Sequence, residues 1–228
     1  MVSSQFDPLT GQFLRAVRDA GGGLTAVCGA CVRVLPVRRA AIVLTEHDAG
    51  MQPWCASDEF ATRVETAQAT AGEGPAVSAA RAGVPVLITD FSSESEHWPG
   101  FAEALTGFRT AGSMFAVPLQ LGRVRLGAMD LYRDLPGRPE PRLMSAALHI
   151  ADLVTASLVL SAGQQARKWS QPLSSRWIHE AATLTGARLG IGAADACARL
   201  RGYAFTHDLS LAEVAEGVVR RRILLDPD

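Results

Sequence analysis

The stretch Met114-Phe115-Ala116-Val117-Pro118-Leu119-Gln120-Leu121-Gly122-Arg123-Val124-Arg125-Leu126-Gly127-Ala128-Met129-Asp130-Leu131-Tyr132-Arg133 decides the fold. Two apolar runs of strand length flank Gly122-Arg123, and glycine opening a two-residue loop predicts a type II′ hairpin. Alternation places Val124, Leu126, Ala128, Asp130 and Tyr132 on one side of the second strand and Arg125, Gly127, Met129 and Leu131 on the other. It does not say which face of the first strand lines a pocket, so Met114 and Phe115 are both candidates.

Upstream, residues 38–46 and 51–57 read as a second pair of strands, rich in β-branched residues and parted by a polar turn. Asp58 to Ala69 reads as a polar helix. Pro75, after Gly72-Glu73-Gly74, suits the first turn of another, and Gly83 ends it. Val84 to Ile88 is a further strand, followed by a loop carrying Asp90, His97, Trp98 and Pro99. Before all of these, residues 12–35 read as one helix interrupted by Gly21-Gly22-Gly23, with residues 1–11 as a tail.

Downstream, Leu143, Ala147, Ile150, Val154 and Leu158 recur at helical spacing in a proline-free run from Arg142 to Lys168. That length suggests a connecting helix, residues 139–169, able to form a parallel dimer coil. Ser170-Gln171-Pro172 breaks it and opens an all-helical segment, 170–228, of three helices. The third begins at Ser210-Leu211-Ala212-Glu213, a capping box. The fold class is therefore α+β: an antiparallel sheet with flanking helices over 12–138, a long helix, and a three-helix bundle.

The 228 residues carry a net charge of −1, so general polyanion binding finds no support in bulk charge. Within 170–228 seven arginines stand against seven carboxylates. Lys168 is the only lysine, and arginine suits bidentate phosphate and base contacts. No apolar run reads as a membrane span and the first residues do not read as a signal peptide, which points to a cytoplasmic protein. Cys28, Cys31, Cys55 and Cys197 are too scattered for a disulfide scaffold. Cys28 and Cys31 share a helical face and read as core, with no ligand set for zinc. No P-loop, dinucleotide fingerprint or nucleophile elbow occurs, so no catalytic or metal site is expected.

Gly72-Glu73-Gly74-Pro75, Gly83-Val84-Pro85-Val86, Asp90, Trp98-Pro99-x-Phe101, Val117-Pro118-Leu119 and Leu126-Gly127-x-x-Asp130-Leu131-Tyr132 occur in that order. Together they resemble the GAF domains of actinobacterial regulators. Ile178-His179-Glu180-Ala181, Leu189-Gly190, Ala193-Ala194-Asp195-Ala196, Leu200-Arg201-x-x-Ala204 and Leu211-x-x-Val214-Ala215-x-x-Val218-Val219 resemble an ANTAR domain. That resemblance implies a homodimer binding tandem RNA hairpins and preventing terminator formation, with the GAF domain as the gating input. Thr183 stands where the family usually carries glycine, Cys197 where an aromatic or leucine is common, and Ala76 where GAF relatives often have cysteine.

The RNA-binding candidates are His179, Thr183, Arg188, Arg199, Arg201, Tyr203, Arg220 and Arg221. Arg220 to Arg222 are placed in the last turns of the third helix, where positive charge complements the dipole. The candidate effector pocket comprises Trp54, Asp90, His97, Trp98, Met114 and Phe115, and the effector and any cofactor stay unidentified. Two alternatives remain: a ligand- or partner-binding signalling protein whose helical domain does not bind RNA, and a thiol-dependent GAF reductase using Cys55.

Overall fold

The computed structural model describes residues 7–22, 25–46, 50–91, 97–106, 112–165, 173–207 and 209–225. Its elements run α1 (Asp7–Asp19), α2 (Thr25–Val34), β1 (Arg39–Glu46), β2 (Gly50–Ala56), α3 (Glu59–Ala71), α4 (Pro75–Ala82) and β3 (Val86–Ile88). There follow α5 (Pro99–Ala104), β4 (Ser113–Leu121), β5 (Val124–Arg133), α6 (Pro141–Gln165), α7 (Leu173–Leu189), α8 (Ala193–Thr206) and α9 (Leu211–Val219). The strands form one antiparallel sheet in the order β2-β1-β5-β4-β3. The expected hairpin sits at its centre, with Leu121 opposite Val124 and Gly122 at φ 60°.

Alternation divides the core in two. Ala40, Ile42, Phe115, Val117, Leu119, Met129 and Leu131 face a layer of α1, α2 and α6. Ala41, Met114, Ile88 and Tyr132 face the opposite layer, where α3 and α5 supply Ala61, Val64 and Phe101. At one point the strands approach too closely for a side chain. Gly127 has φ 155°, and a Cβ there would run into the Val43 carbonyl on β1.

Several expectations are corrected. The tail of residues 1–11 is helical from Asp7, because Leu9, Phe13 and Ala16 lie on one face and pack into the core. The single helix over 12–35 is two helices, with left-handed Gly21 and Gly22 ending the first. The loop after β3 contains α5, whose proline occupies the first turn.

The apolar series of the connecting helix has a different use from the one expected. Leu143, Ala147, Ile150, Val154 and Leu158 are all buried against the sheet, so this seam is a core face and not a free coil surface. Pro141–Leu160 also reaches the length and hydropathy of a membrane span, 20 residues at a mean of 1.8, contrary to the reading from local runs. A buried core helix meets the same criterion, and here its apolar face is covered by the sheet.

The cysteines differ too. Cys28 on α2 is bonded to Cys55 on β2, with Cα atoms 6.4 Å apart, so helix and edge strand are covalently tied. Cys31 is a buried thiol beside Met129, and burial pushes it up to about 12. Helices α7, α8 and α9 close a second core around Ile178, Ala181, Leu200, Leu211 and Val214. The capping box forms as expected: Ser210 Oγ accepts from Glu213 N–H, and the Glu213 carboxylate accepts from Ser210 N–H.

Candidate functional site

The face of the sheet under α3 carries a closed polar cluster. Asp130 and Tyr132, two apart on β5, point towards α3, which presents Glu65 and Gln68 from positions three apart on one helical face. All four side chains are buried. Tyr132 donates its hydroxyl proton to Glu65 Oε1. Gln68 Nε2 donates to Glu65 Oε2 and to Asp130 Oδ2, each at 2.9 Å. The amide oxygen of Gln68 accepts from Ala76 N–H at 2.8 Å, so one side chain joins α3, β5 and the first turn of α4.

Burial sets the electrostatics here. It pushes the Asp130 carboxyl up to about 7, against hydrogen bonds from Gln68 and Glu65 that pull it down. Glu65 stands well above the usual carboxylate range, first through burial and then through the charge of Asp130. Tyr132 is raised by burial and by the same two acids. The two carboxyls thus keep their protons to a higher pH than exposed carboxyls do. Among the described residues Asp130 Oδ1 has no hydrogen-bond partner, leaving an acceptor buried on this face. The described histidine, cysteine and acidic residues form no group able to hold a metal ion.

The expected pocket residues separate between layers. Met114 lies on the α3 face opposite Tyr132, and Trp98 packs there with its indole N–H donating to Ser78 Oγ at 3.0 Å. His97 is exposed beside Trp98, with ring centroids 5.7 Å apart, and Asp90 is half-buried just beyond β3. Phe115 and Trp54 belong to the opposite layer, against α1, α2 and α6, because alternation sends them through the other side of the sheet. The six therefore do not line one common face. Glu65 and Gln68 escaped the sequence reading, since their helix reads as solvated; the signal was their three-residue spacing opposite Asp130. Glu73 escaped as well: its carboxylate accepts from Gly100 N–H at 2.6 Å, capping α5.

The candidate residues of the helical unit also divide. His179 and Thr183 share an exposed face of α7, where the Thr183 hydroxyl donates back to the His179 carbonyl at 2.9 Å. Arg188 is exposed in the last turn of that helix. On α8, Arg199 and Tyr203 are one turn apart, and His207 follows one turn later. The Tyr203 and His207 rings stack, 3.9 Å between centroids and 13° between planes. Arg199, Tyr203, His207 and Leu224 line an open groove.

Arg201 points elsewhere, into a cleft against the sheet domain. Helix α9 ends at Val219, so Arg220 to Arg222 follow it instead of filling its last turns, and Arg221 is left-handed at φ 56°. Arg220 pairs with Glu216 at 2.9 Å and lies over the Trp177 ring, which makes it part of the unit's own packing.

The two units touch. The hydroxyl of Thr70, on α3, accepts from Leu211 N–H at the start of α9 at 3.3 Å. Arg201 crosses Gly72 and Gly50, its Nη2 filling the space a Cβ at Gly50 would occupy and its Cδ lying at contact distance, 3.4 Å, from that of Gly72.

Comparison with known proteins places the first unit. Residues 22–159, more than half of the chain, match the family model described as GAF domain. None of the curated proteins matches the chain. The GAF domain of an Acinetobacter phosphoenolpyruvate-protein phosphotransferase is similar at 10% identity, with 69% of this chain and 96% of that one covered and a TM-score of 0.52. The GAF domain of the corresponding protein from Coxiella burnetii gives 11% identity, 72% and 99% coverage, and a TM-score of 0.52. The reduced form of fRMsr of Staphylococcus aureus gives 12%, 69% and 97%, and 0.50. At these identities the likeness is one of fold. With the antiparallel sheet and its two helical layers as described, the chain belongs to the GAF domain family.

Proposed function

We propose that this chain is a cytoplasmic, homodimeric RNA-binding regulator in which the GAF domain gates an ANTAR-type unit formed by α7 to α9, acting in transcription antitermination and not as an enzyme. The observation that carries the reading is the α8 face of Arg199, Tyr203 and His207. A stacked aromatic pair beside a guanidinium suits an unpaired loop base, which RNA-binding proteins read by stacking and hydrogen bonding more than by bulk charge. The balanced charge of 170–228 fits that mode.

The docking of α8 and α9 against α3 supports gating. An effector that prefers the sensor domain in one arrangement shifts the helical unit only through contacts of this kind. GAF domains are signalling sensor domains that take small-molecule or protein effectors, and Asp130 with its unpartnered oxygen faces the layer where such an effector would act. Of the thiols, Cys31 is raised by burial and protonated at neutral pH, so it supplies no thiolate nucleophile.

The experiment is a titration of the full chain against labelled RNA carrying two hairpins, one hairpin, or two hairpins with scrambled loops, at two salt concentrations. The reading expects loop-dependent binding, tighter for two hairpins than for one, with one dimer per tandem RNA. Binding that ignores the loops moves the chain to a GAF signalling protein whose helical unit recognises something else.

A further inference from the structure

Strand β2 is an edge strand, hydrogen-bonded to β1 alone. Two features weaken that pairing next to Cys55. Pro53 has no N–H to give the ladder, and the register slips between Ile42 and Val43, whose partners are Cys55 and Pro53, so that Trp54 is left unmatched. The bond from Cys55 to Cys28 crosses to α2, a helix packed into the core, and so holds the strand where its ladder is broken. At its other end β2 meets the helical unit: Arg201 Nη2, from α8, lies 2.6 Å from the position of a Gly50 Cβ. One short strand thus carries a covalent tie at one end and the docking contact at the other.

The cysteines differ in access. Cys55 is partly exposed, whereas Cys28, Cys31 and Cys197 are buried. Cys31 sits one helical turn from Cys28, its Sγ donating to Met129 Sδ at 3.7 Å, and burial keeps it protonated, so it does not rearrange the bond from within. A reducing thiolate therefore enters from solvent, at Cys55. In the cytoplasm, the setting proposed above and the one on which this inference rests, a disulfide is usually a transient, redox-sensing bond. We propose that Cys28–Cys55 is a reversible redox clamp: formed, it holds β2 and the docked helical unit; broken by a low-molecular-weight thiol, it loosens both.

With glutathione as the thiol, its thiolate attacks Cys55 Sγ. The Cys28–Cys55 bond breaks as a mixed disulfide forms on Cys55, and Cys28 leaves as a thiolate and takes up a proton. A second glutathione thiolate attacks the glutathione sulfur of the mixed disulfide, releasing oxidised glutathione and Cys55, which is protonated in turn. Two electrons and two protons pass from two thiols to the protein. The reverse sequence with oxidised glutathione remakes the bond.

The test is hydrogen exchange of the full chain, without RNA, equilibrated in reduced or in oxidised glutathione, with free thiols counted after denaturation in acid. Two free thiols are expected in the oxidised buffer and four in the reduced one. On reduction, exchange over residues 50–56 quickens by about 5-fold or more, and exchange at Leu211 and in α8 around Arg201 quickens with it. Strands β4 and β5, inside the sheet, stay protected over the same minutes. Cys55→Ala exchanges at the reduced rate in both buffers, whereas Cys197→Ala keeps the response over residues 50–56. If Cys55→Ala fails to fold, the two buffers still decide the matter on the unaltered chain. A bond that survives millimolar reduced glutathione is a permanent brace and overturns the proposal, as does a pair that stays reduced in oxidised glutathione. Unchanged exchange over residues 50–56 on reduction overturns it too. So does faster exchange confined to β2, because the helical unit would then not follow the strand. None of these outcomes bears on whether the helical unit binds RNA.

Discussion

Thr70, near the end of α3, accepts a hydrogen bond at 3.3 Å from the backbone N–H of Leu211, the first residue of α9. The first amides of a helix have no partner inside it, so a sensor-domain hydroxyl completes the cap of a helix in the other unit. Thr70→Val keeps the shape and removes the acceptor. Hydrogen exchange at the Leu211 amide should then quicken by roughly fivefold, the scale of one neutral hydrogen bond. Unchanged exchange would mean that the two units do not meet through this contact in solution.

The buried acid pair fixes a pH dependence. Folded Asp130 keeps its proton up to about pH 7, whereas an unfolded aspartate releases it near pH 4. Across that window the folded chain binds more protons, so stability falls as pH rises through it. Glu65, raised in the same direction, adds to the slope. Urea unfolding at pH 5, 6, 7 and 8 should show a decline on the order of a few kcal/mol. Asp130→Asn should make it shallower. A rise in stability over the same range would contradict the raised pKa of this buried pair.

Gly127→Ala tests the closest approach in the sheet. Its φ of 155° and the nearby Val43 carbonyl leave no place for a methyl group without moving a central strand pair. The cost should be at least about 3 kcal/mol, visible as a large drop in melting temperature or failure to fold. A loss under about 1 kcal/mol would show that β1 and β5 are spaced differently.

Helix α6 supplies a fourth test, because its apolar seam lies in the core of one chain. Ile150→Ala should cost about 2–5 kcal/mol of stability. A loss under about 1 kcal/mol would show that this seam is not packed against the sheet.

How far the sequence could be read followed from how local each signal is. The β4–β5 hairpin, Pro75 at a helix start and the Ser210–Glu213 cap were legible because each rests on neighbours in the chain. The cluster of Glu65, Gln68, Asp130 and Tyr132 was not. It needs two elements 62 residues apart to meet, and α3 alone looks solvated. The same holds for Arg201, whose cleft is made by Gly50 and Gly72, and for Cys28, whose partner lies on a strand 27 residues away. Phe115 and Trp54 could not be assigned a layer in advance because period-two alternation names a pair of faces without saying which one a given helix covers. The seam of α6 misled for a related reason: core helices and coils present the same spacing.

The most direct measurement of the central claim compares the full chain with its His207→Ala variant against tandem-hairpin RNA and a scrambled-loop control. His207 is exposed and stacks on Tyr203 without entering the core of the helical unit, so its removal tests the platform and not the fold. The account predicts loop-dependent binding at micromolar affinity or tighter, weakened by about 10-fold in His207→Ala, the scale of one lost base stack. Equal affinity for scrambled loops, or an unchanged affinity in the variant, would contradict it.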